Sequence, residues 1–347
     1  VKPGDADRRL PLQGDGTQEW VRVTDPWEMP RCINPTQGWL ANWNNKPMAG
    51  WQYAESDIHW GEGHRVQILM DAMTTFAASG DLTTDTLNTI NQVAGYHSTA
   101  GMNFAGDLIA AVTAYVSATP DPELMAALGY LGAWATAQPL PISRVDLVAP
   151  KWPTDPNPTY DHAGLTIFNA WYERIVPKVF DGILPSDLIG QVKKYPSLLI
   201  RIFREDGSLL YPGYPSGAAL DTMVVEALEE AVDYLAAEYG SSDMSTWLTP
   251  VRMQSYDETG APPGKELHPY MNRGTYTQIA EMVEGGVPNG LSAIPPGESG
   301  FLAYPGIPSP HAYDQVALYA SWTYKPMLFT LAAVEGVETS RTVFYVE

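Results

Sequence analysis

The hydrophobic pattern of this chain changes its period twice, and that change most constrains the fold. Around Trp39 the apolar residues alternate with a period of two, as in a half-buried strand. From about Arg65 to Tyr239 most of them recur every three or four residues, as in amphipathic helices. Beyond Trp247 the period of two returns. Strand, helices and strands in this order predict an α+β fold with a helical insertion.

Three regions follow from this order: residues 1–63 as the first part of a sheet-containing core, 64–245 as a mainly helical region and 246–347 as the second part of the core. The predicted helices cover 65–79, 84–95, 104–118, 122–138, 164–184 and 218–239, and a further helix is expected near Ala312. The predicted strands cover 39–44, 250–256, 274–284, 290–294, 300–304 and 342–346.

Length and charge exclude several classes of protein. A chain of 347 residues with 45% hydrophobic content can bury a large core, and no apolar run reaches the roughly 18 residues of a spanning helix. The net charge of −20 repels nucleic acids and anionic membrane surfaces. A single cysteine, Cys32, excludes an internal disulfide, and we expect it to be a small buried residue. No export signal opens the chain, and its first residues are typical of an interior point of a longer gene product.

The stretch 34–47, Asn-Pro-Thr-Gln-Gly-Trp-Leu-Ala-Asn-Trp-Asn-Asn-Lys-Pro, concentrates amides on a predicted strand. Asn42 and Asn44 share one face with Leu40, although Asn is depleted in strands and an unsatisfied buried amide costs about 1–3 kcal/mol. An Asx turn at Asn45 that ends the strand is one explanation. Another is that an Asn N–H₂ group stabilises a developing oxyanion. Position alone does not decide between them.

This stretch resembles the asparagine segment of the penicillin acylase family, the amide hydrolases of the N-terminal nucleophile class. Four further patches are similar to patches that occur in the same order in the family's larger (β) subunit. They are Thr-Trp-Leu-Thr-Pro at 246–250, Asn-Arg-Gly-Thr-Tyr at 272–276, Pro-Gly-Glu-Ser-Gly-Phe at 296–301 and His-Ala-Tyr-Asp-Gln at 311–315. The resemblance implies the αββα sandwich of N-terminal nucleophile hydrolases, of which this chain supplies a part.

The resemblance also implies a mechanism and assigns residues to it. In this class a Ser, Thr or Cys at a processed amino terminus attacks the amide, and its own α-amine, with a pKa of about 8, acts as the base. Val1 has no hydroxyl group, so the resemblance implies that this chain is the carboxy-terminal portion of the larger subunit. The nucleophilic Ser would lie on a preceding segment or on another processed chain of the same precursor. Asn44 then matches the oxyanion-hole asparagine, and Arg65 matches the arginine beside the nucleophile.

A structural calcium ion is implied in the same way. Asp57, in Tyr-Ala-Glu-Ser-Asp, is similar to the family's aspartate ligand, and the main-chain carbonyl of Arg8 matches another ligand. Carboxylate and carbonyl oxygens suit Ca²⁺. A periplasmic or extracellular location is expected from the resemblance as well.

Other candidate sites have weaker patterns. His59 and His64 are five residues apart, which is not the i, i+4 spacing of a helical zinc pair. Ser299 lacks the Gly-x-Ser-x-Gly spacing of a nucleophile elbow. With eleven Trp and nineteen Tyr, an alternative function is a non-catalytic binding or scaffold subunit for carbohydrate or peptide.

Overall fold

A computed structural model describes residues 11–51, 60–61, 63–80, 82–137, 158–205, 212–255, 267–274 and 276–344. These residues form both helices and sheets, as the predicted α+β fold requires. None of the described helices is long and apolar enough to cross a membrane.

The predicted helices are present, and most of their ends lie close to the predicted positions. The helices are α1 Gly63–Ser79, α2 Thr84–Tyr96, α3 Thr99–Ala118, α4 Pro122–Ala135, α5 Ala163–Phe180, α6 Ser186–Lys194, α7 Ser197–Arg204, α8 Ala218–Tyr239, α9 Val316–Ala320 and α10 Leu331–Glu335. The sequence did not predict α6 and α7, which have only nine and eight residues. Helices of two turns are too short to show a full hydrophobic period.

The strands of the described residues are short, and each ladder between them is antiparallel. They are β1 Met253–Ser255, β2 Leu267–Pro269, β3 Thr277–Val283, β4 Gly286–Ala293, β5 Leu302–Ala303, β6 Ile307–Pro308 and β7 Lys325–Pro326. Their order is β1-β2 in one sheet, β3-β4-β7 in a second and β5-β6 in a third. The longest pairing joins Thr277 of β3 to Ala293 of β4 and continues towards the Gly285–Gly286 turn, where both glycines have positive φ.

Two strand predictions were wrong for the described residues. Residues 39–44 make no ladder there, and the nearest pairing is an isolated parallel bridge from Asn45 to Gly61. Ladder hydrogen bonds require a second strand, and no described strand pairs with this segment. Residues 342–344 are likewise not in a strand, and 345–346 lie outside the described residues. The helix expected near Ala312 begins at Val316.

The chain divides into two compact units that interleave along the sequence. One comprises residues 1–80, 99–125 and 169–234, and the other comprises 81–98, 126–168 and 235–347. The predicted division into three consecutive regions follows secondary structure, and it stays a prediction.

The first unit has a helical core built on α3, α5, α7 and α8. Phe104 on α3 is fully buried and contacts the rings of Tyr172 and Phe203, with ring centroids 5.8 and 5.2 Å apart. The indole Nε1 of buried Trp171 donates to the carbonyl of Val224 at 3.1 Å. The predicted apolar stripe of α8 is buried, and its acidic side chains are exposed as predicted, so that face is solvated.

The second unit contains an aromatic cluster around Arg273. Its guanidinium carbon lies 3.8 Å from the ring centroid of Tyr319 and 3.7 Å from that of Trp322. Trp322 has a left-handed backbone, with φ of 57°, and its Nε1 donates to the hydroxyl of Tyr96 at 3.0 Å. Gly95 makes room for this indole, because a Cβ there would lie 2.9 Å from it. Arg273, the second residue of the Asn-Arg-Gly-Thr-Tyr patch, therefore has a packing role.

The patches at 296–301 and 311–315 contact each other in the second unit. Gln315, which is fully buried, accepts from the N–H of Ile294 through Oε1 and donates through Nε2 to Glu298 at 3.1 Å. A Cβ at Gly297 would collide with the carbonyl of His311. The patches at 296–301 and 311–315 are thus one structural contact between two loops.

Candidate active site

Three neighbouring amides have three different partners. The Oδ1 of Asn42 accepts from the N–H of Asn44 at 3.0 Å, which is an Asx turn. The Oδ1 of Asn45 accepts from the N–H of Trp43, also at 3.0 Å. Asn42 and Asn45 therefore shape the local backbone, as the structural explanation predicts, although the turn is centred at Asn42 and not at Asn45. Neither bond involves the side chain of Asn44.

The side chain of Asn44 is exposed and is held at one end only. Its Oδ1 accepts from Nη2 of Arg65 at 3.3 Å. Because arginine can only donate, this contact identifies the oxygen of the carboxamide and turns Nδ2 the other way. Within the described ranges Nδ2 makes no hydrogen bond. The result is an oriented, solvent-accessible N–H₂ donor.

The backbone of Asn44 is also unusual, since its φ is 60°. A residue other than glycine adopts this left-handed conformation infrequently, and Asn tolerates it better than most. Such conformations occur often where a side chain must be aimed at a ligand. The Asx turn of Asn42 supports this conformation through the Asn44 N–H.

Arg65 lies in the first turn of α1, where the helix dipole disfavours a cation. Its Nη2 donates to the carbonyl of Trp43 at 3.2 Å as well as to Asn44. The guanidinium carbon is 4.9 Å from the centroid of the Trp43 ring. Its Nε is buried and makes no hydrogen bond within the described chain. The Trp43 carbonyl, the Trp43 ring and Asn44 are thus the partners that offset the unfavourable helix dipole at Arg65.

Gly61 is a residue of this site that the sequence did not single out. Its N–H donates to the carbonyl of Asn44 at 2.5 Å. A Cβ at Gly61 would lie 2.6 Å from the carbonyl oxygen of Trp43, so no larger residue fits without displacing the turn. The glycine-rich run Gly61-Glu62-Gly63 just before a helix was the available signal.

The other candidates are either outside the described residues or have a different local role. Asp57 and Arg8, the predicted calcium ligands, lie outside the described residues, and so does His59. In the described ranges no group of three His, Cys, Asp or Glu residues could hold a metal ion. The Oγ of Ser299 accepts from the N–H of Phe301 at 3.2 Å within a turn.

The expectation for Cys32 was wrong, because this residue is exposed. No residue between positions 11 and 51 is buried within the described structure, so a small apolar side chain finds no core there.

Comparisons with known proteins agree with the resemblance. The penicillin amidase family model matches residues 1–336. The chain is 24% identical to penicillin G acylase from Escherichia coli over 377 aligned residues, which cover 98% of this chain and 42% of that protein. The chain thus spans less than half the length of this relative.

Among solved structures, the thermostable penicillin G acylase from Alcaligenes faecalis matches with a TM-score of 0.74 and 23% identity. The match covers 100% of this chain and 64% of that one. The two share a fold, which is that of the N-terminal nucleophile hydrolases. With a family model that extends over nearly its whole length, this chain belongs to the penicillin amidase family.

Proposed function

We propose that this chain is part of an amide hydrolase of the acylase kind, which cleaves a linear amide with an amino-terminal Ser supplied by another segment or chain of the same precursor. Asn44 donates a hydrogen bond from Nδ2 to the oxyanion of the tetrahedral intermediate. The observation that carries the proposal is the contact between Arg65 Nη2 and Asn44 Oδ1, at 3.3 Å. It leaves the only donor of that side chain facing outward.

The chemistry needs a donor that is already in place when charge develops. When the serine hydroxyl adds to the amide carbonyl, the carbonyl oxygen becomes an oxyanion, and a preoriented N–H group stabilises it without reorganisation. The α-amine of the serine takes the hydroxyl proton and returns it to the leaving amine. Asn44 is neutral, so it stabilises this charge without giving up a proton.

Arg65 is a positioning residue in this scheme. By donating to both Trp43 and Asn44 it fixes the turn and the rotation of the carboxamide. Its positive charge also lies on the side of the Asn44 amide opposite to the outward donor, which adds a favourable field for the oxyanion.

Calcium and location are proposed from family membership. A Ca²⁺ ion held by Asp57 and the Arg8 carbonyl would have a structural role, and no catalytic step depends on it. A periplasmic or extracellular location fits such an enzyme. Metal analysis and fractionation of the native protein test these two points.

The test is replacement of Asn44 by Ala in the full-length enzyme, assayed with chromogenic acyl anilides that differ in their acyl group. We expect kcat/KM to fall by about 10²–10³-fold, the usual effect of losing one oxyanion donor. Intact-mass analysis of the native material should first identify an accompanying polypeptide with Ser at its amino terminus.

Asn42→Ser is the matched control, because a serine hydroxyl can still accept from the Asn44 N–H and preserve the turn. This variant should keep most of the turnover. Near-normal turnover in Asn44→Ala would refute the assignment of Asn44. A complete partner set with no Ser, Thr or Cys at a processed amino terminus would refute the mechanism.

A further inference from the structure

The left-handed backbone of Asn44 is a conformation that contacts from other residues have to maintain. Its φ is 60°, a region in which the Cβ of any residue other than glycine lies too close to the following carbonyl oxygen. A strained residue of this kind persists only where its surroundings over-determine its conformation. The contacts made by the peptide groups on either side of Asn44 therefore decide where its side chain points.

The peptide plane before Asn44 is held by two side chains. It contains the carbonyl of Trp43 and the N–H of Asn44, because a peptide unit is planar. Arg65 Nη2 donates to that carbonyl at 3.2 Å, and the Oδ1 of Asn42 accepts from that N–H at 3.0 Å. These two contacts restrict the φ angle of Asn44.

The peptide plane after Asn44 is held by the main chain of Gly61. The Gly61 N–H donates to the Asn44 carbonyl at 2.5 Å, and Asn45, whose nitrogen lies in the same plane, forms a parallel bridge with Gly61. This contact restricts the ψ angle of Asn44. Since φ and ψ are the two soft dihedral angles of a residue, the two held planes together fix the direction of the Cα–Cβ bond of Asn44.

The close approach of Gly61 requires a residue without a Cβ. An added Cβ would lie 2.6 Å from the carbonyl oxygen of Trp43 and 3.0 Å from the carbonyl carbon and oxygen of Asn44. These atoms belong to the two peptide planes that flank Asn44, and they are main-chain atoms, which cannot move aside as the end of a flexible side chain can. A methyl group at this position would therefore displace both planes.

We propose that Gly61 is a positioning residue for the oxyanion donor, because its N–H and its lack of a side chain keep Asn44 in the conformation from which Nδ2 reaches the reacting oxygen. The proposal rests on the proposed function. Gly61 lies two residues before the start of α1, and Arg65 lies in the first turn of that helix. The same return of the chain thus supplies both the main-chain contact and the guanidinium contact to Asn44.

Gly61→Ala in the full-length enzyme tests this role, and Gly63→Ala is the matched control. Both substitutions add one methyl group to the same glycine-rich run, but a Cβ at Gly63 would meet no atom within 4 Å. We expect kcat of Gly61→Ala on acyl anilides to fall by about 10²-fold, the effect of displacing a catalytic group by about 1 Å. KM should stay unchanged, because the oxyanion forms only in the transition state. Gly63→Ala should keep the wild-type kcat.

A double-mutant cycle separates positioning from a general structural effect. Because Gly61 acts through Asn44, Gly61→Ala should cause no further loss of kcat in an enzyme that already carries Asn44→Ala. A further loss as large as that in the wild-type background would overturn the proposal. Wild-type kcat in Gly61→Ala would overturn it too, and so would a Gly61→Ala enzyme that fails to assemble when Asn44→Ala assembles.

Hydrogen exchange in the unsubstituted full-length enzyme tests the contact itself. We expect the Gly61 amide to exchange at least about 10²-fold more slowly than the same amide in an unstructured peptide. Exchange at the unstructured rate would show that the hydrogen bond to the Asn44 carbonyl does not persist. That result would overturn the proposal whether or not any of the variants folds.

The two proposals can fail separately. Near-normal turnover in Asn44→Ala would refute the oxyanion role, and the role of Gly61 with it. A large loss of turnover in Asn44→Ala, together with wild-type turnover in Gly61→Ala, would overturn the role of Gly61 and leave the oxyanion role intact.

Discussion

At the scale of the residue, the site depends on how the side chains of Asn42, Asn44 and Asn45 divide their hydrogen bonds. Asn42 and Asn45 accept from main-chain N–H groups and so shape the turn, whereas the side-chain oxygen of Asn44 is oriented by a charged side chain, Arg65. The motif pointed to Asn44, but nothing in the sequence shows which carboxamide oxygen a distant arginine contacts. Arg65 is 21 positions away, so that contact depends on how the chain returns to the turn.

Arg65→Lys should reduce turnover by about tenfold, because a lysine cannot donate from one planar group to two acceptors while stacking on Trp43. The measurement is kcat of the full-length enzyme on acyl anilides. Arg201→Lys is the matched control, since Arg201 makes an exposed i, i+4 ion pair with Glu205, and such pairs contribute about 0.3–0.5 kcal/mol. If both variants retained wild-type kcat, Arg65 would have no positioning role.

At the scale of the element, long periodic helices were predictable and the unpaired segment was not. The α8 helix begins and ends at the predicted residues, because its 22 residues are enough to show a continuous apolar stripe. The alternation around Trp39 was also correct in burial, and only the expected ladder was wrong. Burial depends on the segment's own pattern, whereas a ladder depends on a partner.

Gly95→Ala should destabilise the second unit by about 1–3 kcal/mol, since overpacking forces a buried group to move. The added methyl would lie 2.9 Å from the indole of Trp322. The indole Nε1 donates to the Tyr96 hydroxyl and the main-chain carbonyl of Trp322 accepts from Asn88 Nδ2, so both the ring and its backbone are held in place. Urea denaturation measures the change in unfolding free energy.

Gly106→Ala is the control for this substitution. Gly106 is exposed in the middle of α3, and its added Cβ would meet no atom within 4 Å. It should stabilise the protein by about 0.5–1 kcal/mol through helix propensity. Equal effects of the two substitutions would show that the indole moves aside at no cost.

At the scale of the whole molecule, several sequence patches that carry the family resemblance are structural. The patches at 296–301 and 311–315 form one contact, and Arg273 joins a buried aromatic cluster. They specify the fold well, but they could not reveal an acyl-binding pocket or a partner. That is why the family was predictable from this chain and the substrate was not.

Stability should fall as the pH drops below about neutrality, because of His268. This side chain is fully buried beside Tyr319, and its Nδ1 donates to the carbonyl of Pro269 at 2.7 Å. Burial, opposed by that bond and assisted by the charge of Arg273, lowers its pKa below the ordinary 6.5. Folding therefore favours the neutral ring.

The sign follows from proton uptake. Below pH 6.5 the His268 side chain of the unfolded chain binds a proton, whereas that of the folded chain stays neutral. The stabilising contribution of the neutral ring is therefore complete above that pH, and it is lost as the pH falls towards the pKa of the folded state. Thermal melts between pH 8 and 5 should show a smaller decline for His268→Phe than for the wild type. Parallel declines would assign the effect to other groups.

The interleaving of the two units has a consequence for synthesis. Each unit takes three separated stretches of the chain, and the first is complete only at residue 234. A nascent chain can close neither core until most of it has left the ribosome, so folding waits on contacts between distant segments, which form slowly. A continuous fragment that ends at any of these junctions lacks part of a hydrophobic core, so it exposes apolar side chains that the complete chain buries. Chaperone demand during translation is therefore expected to be high.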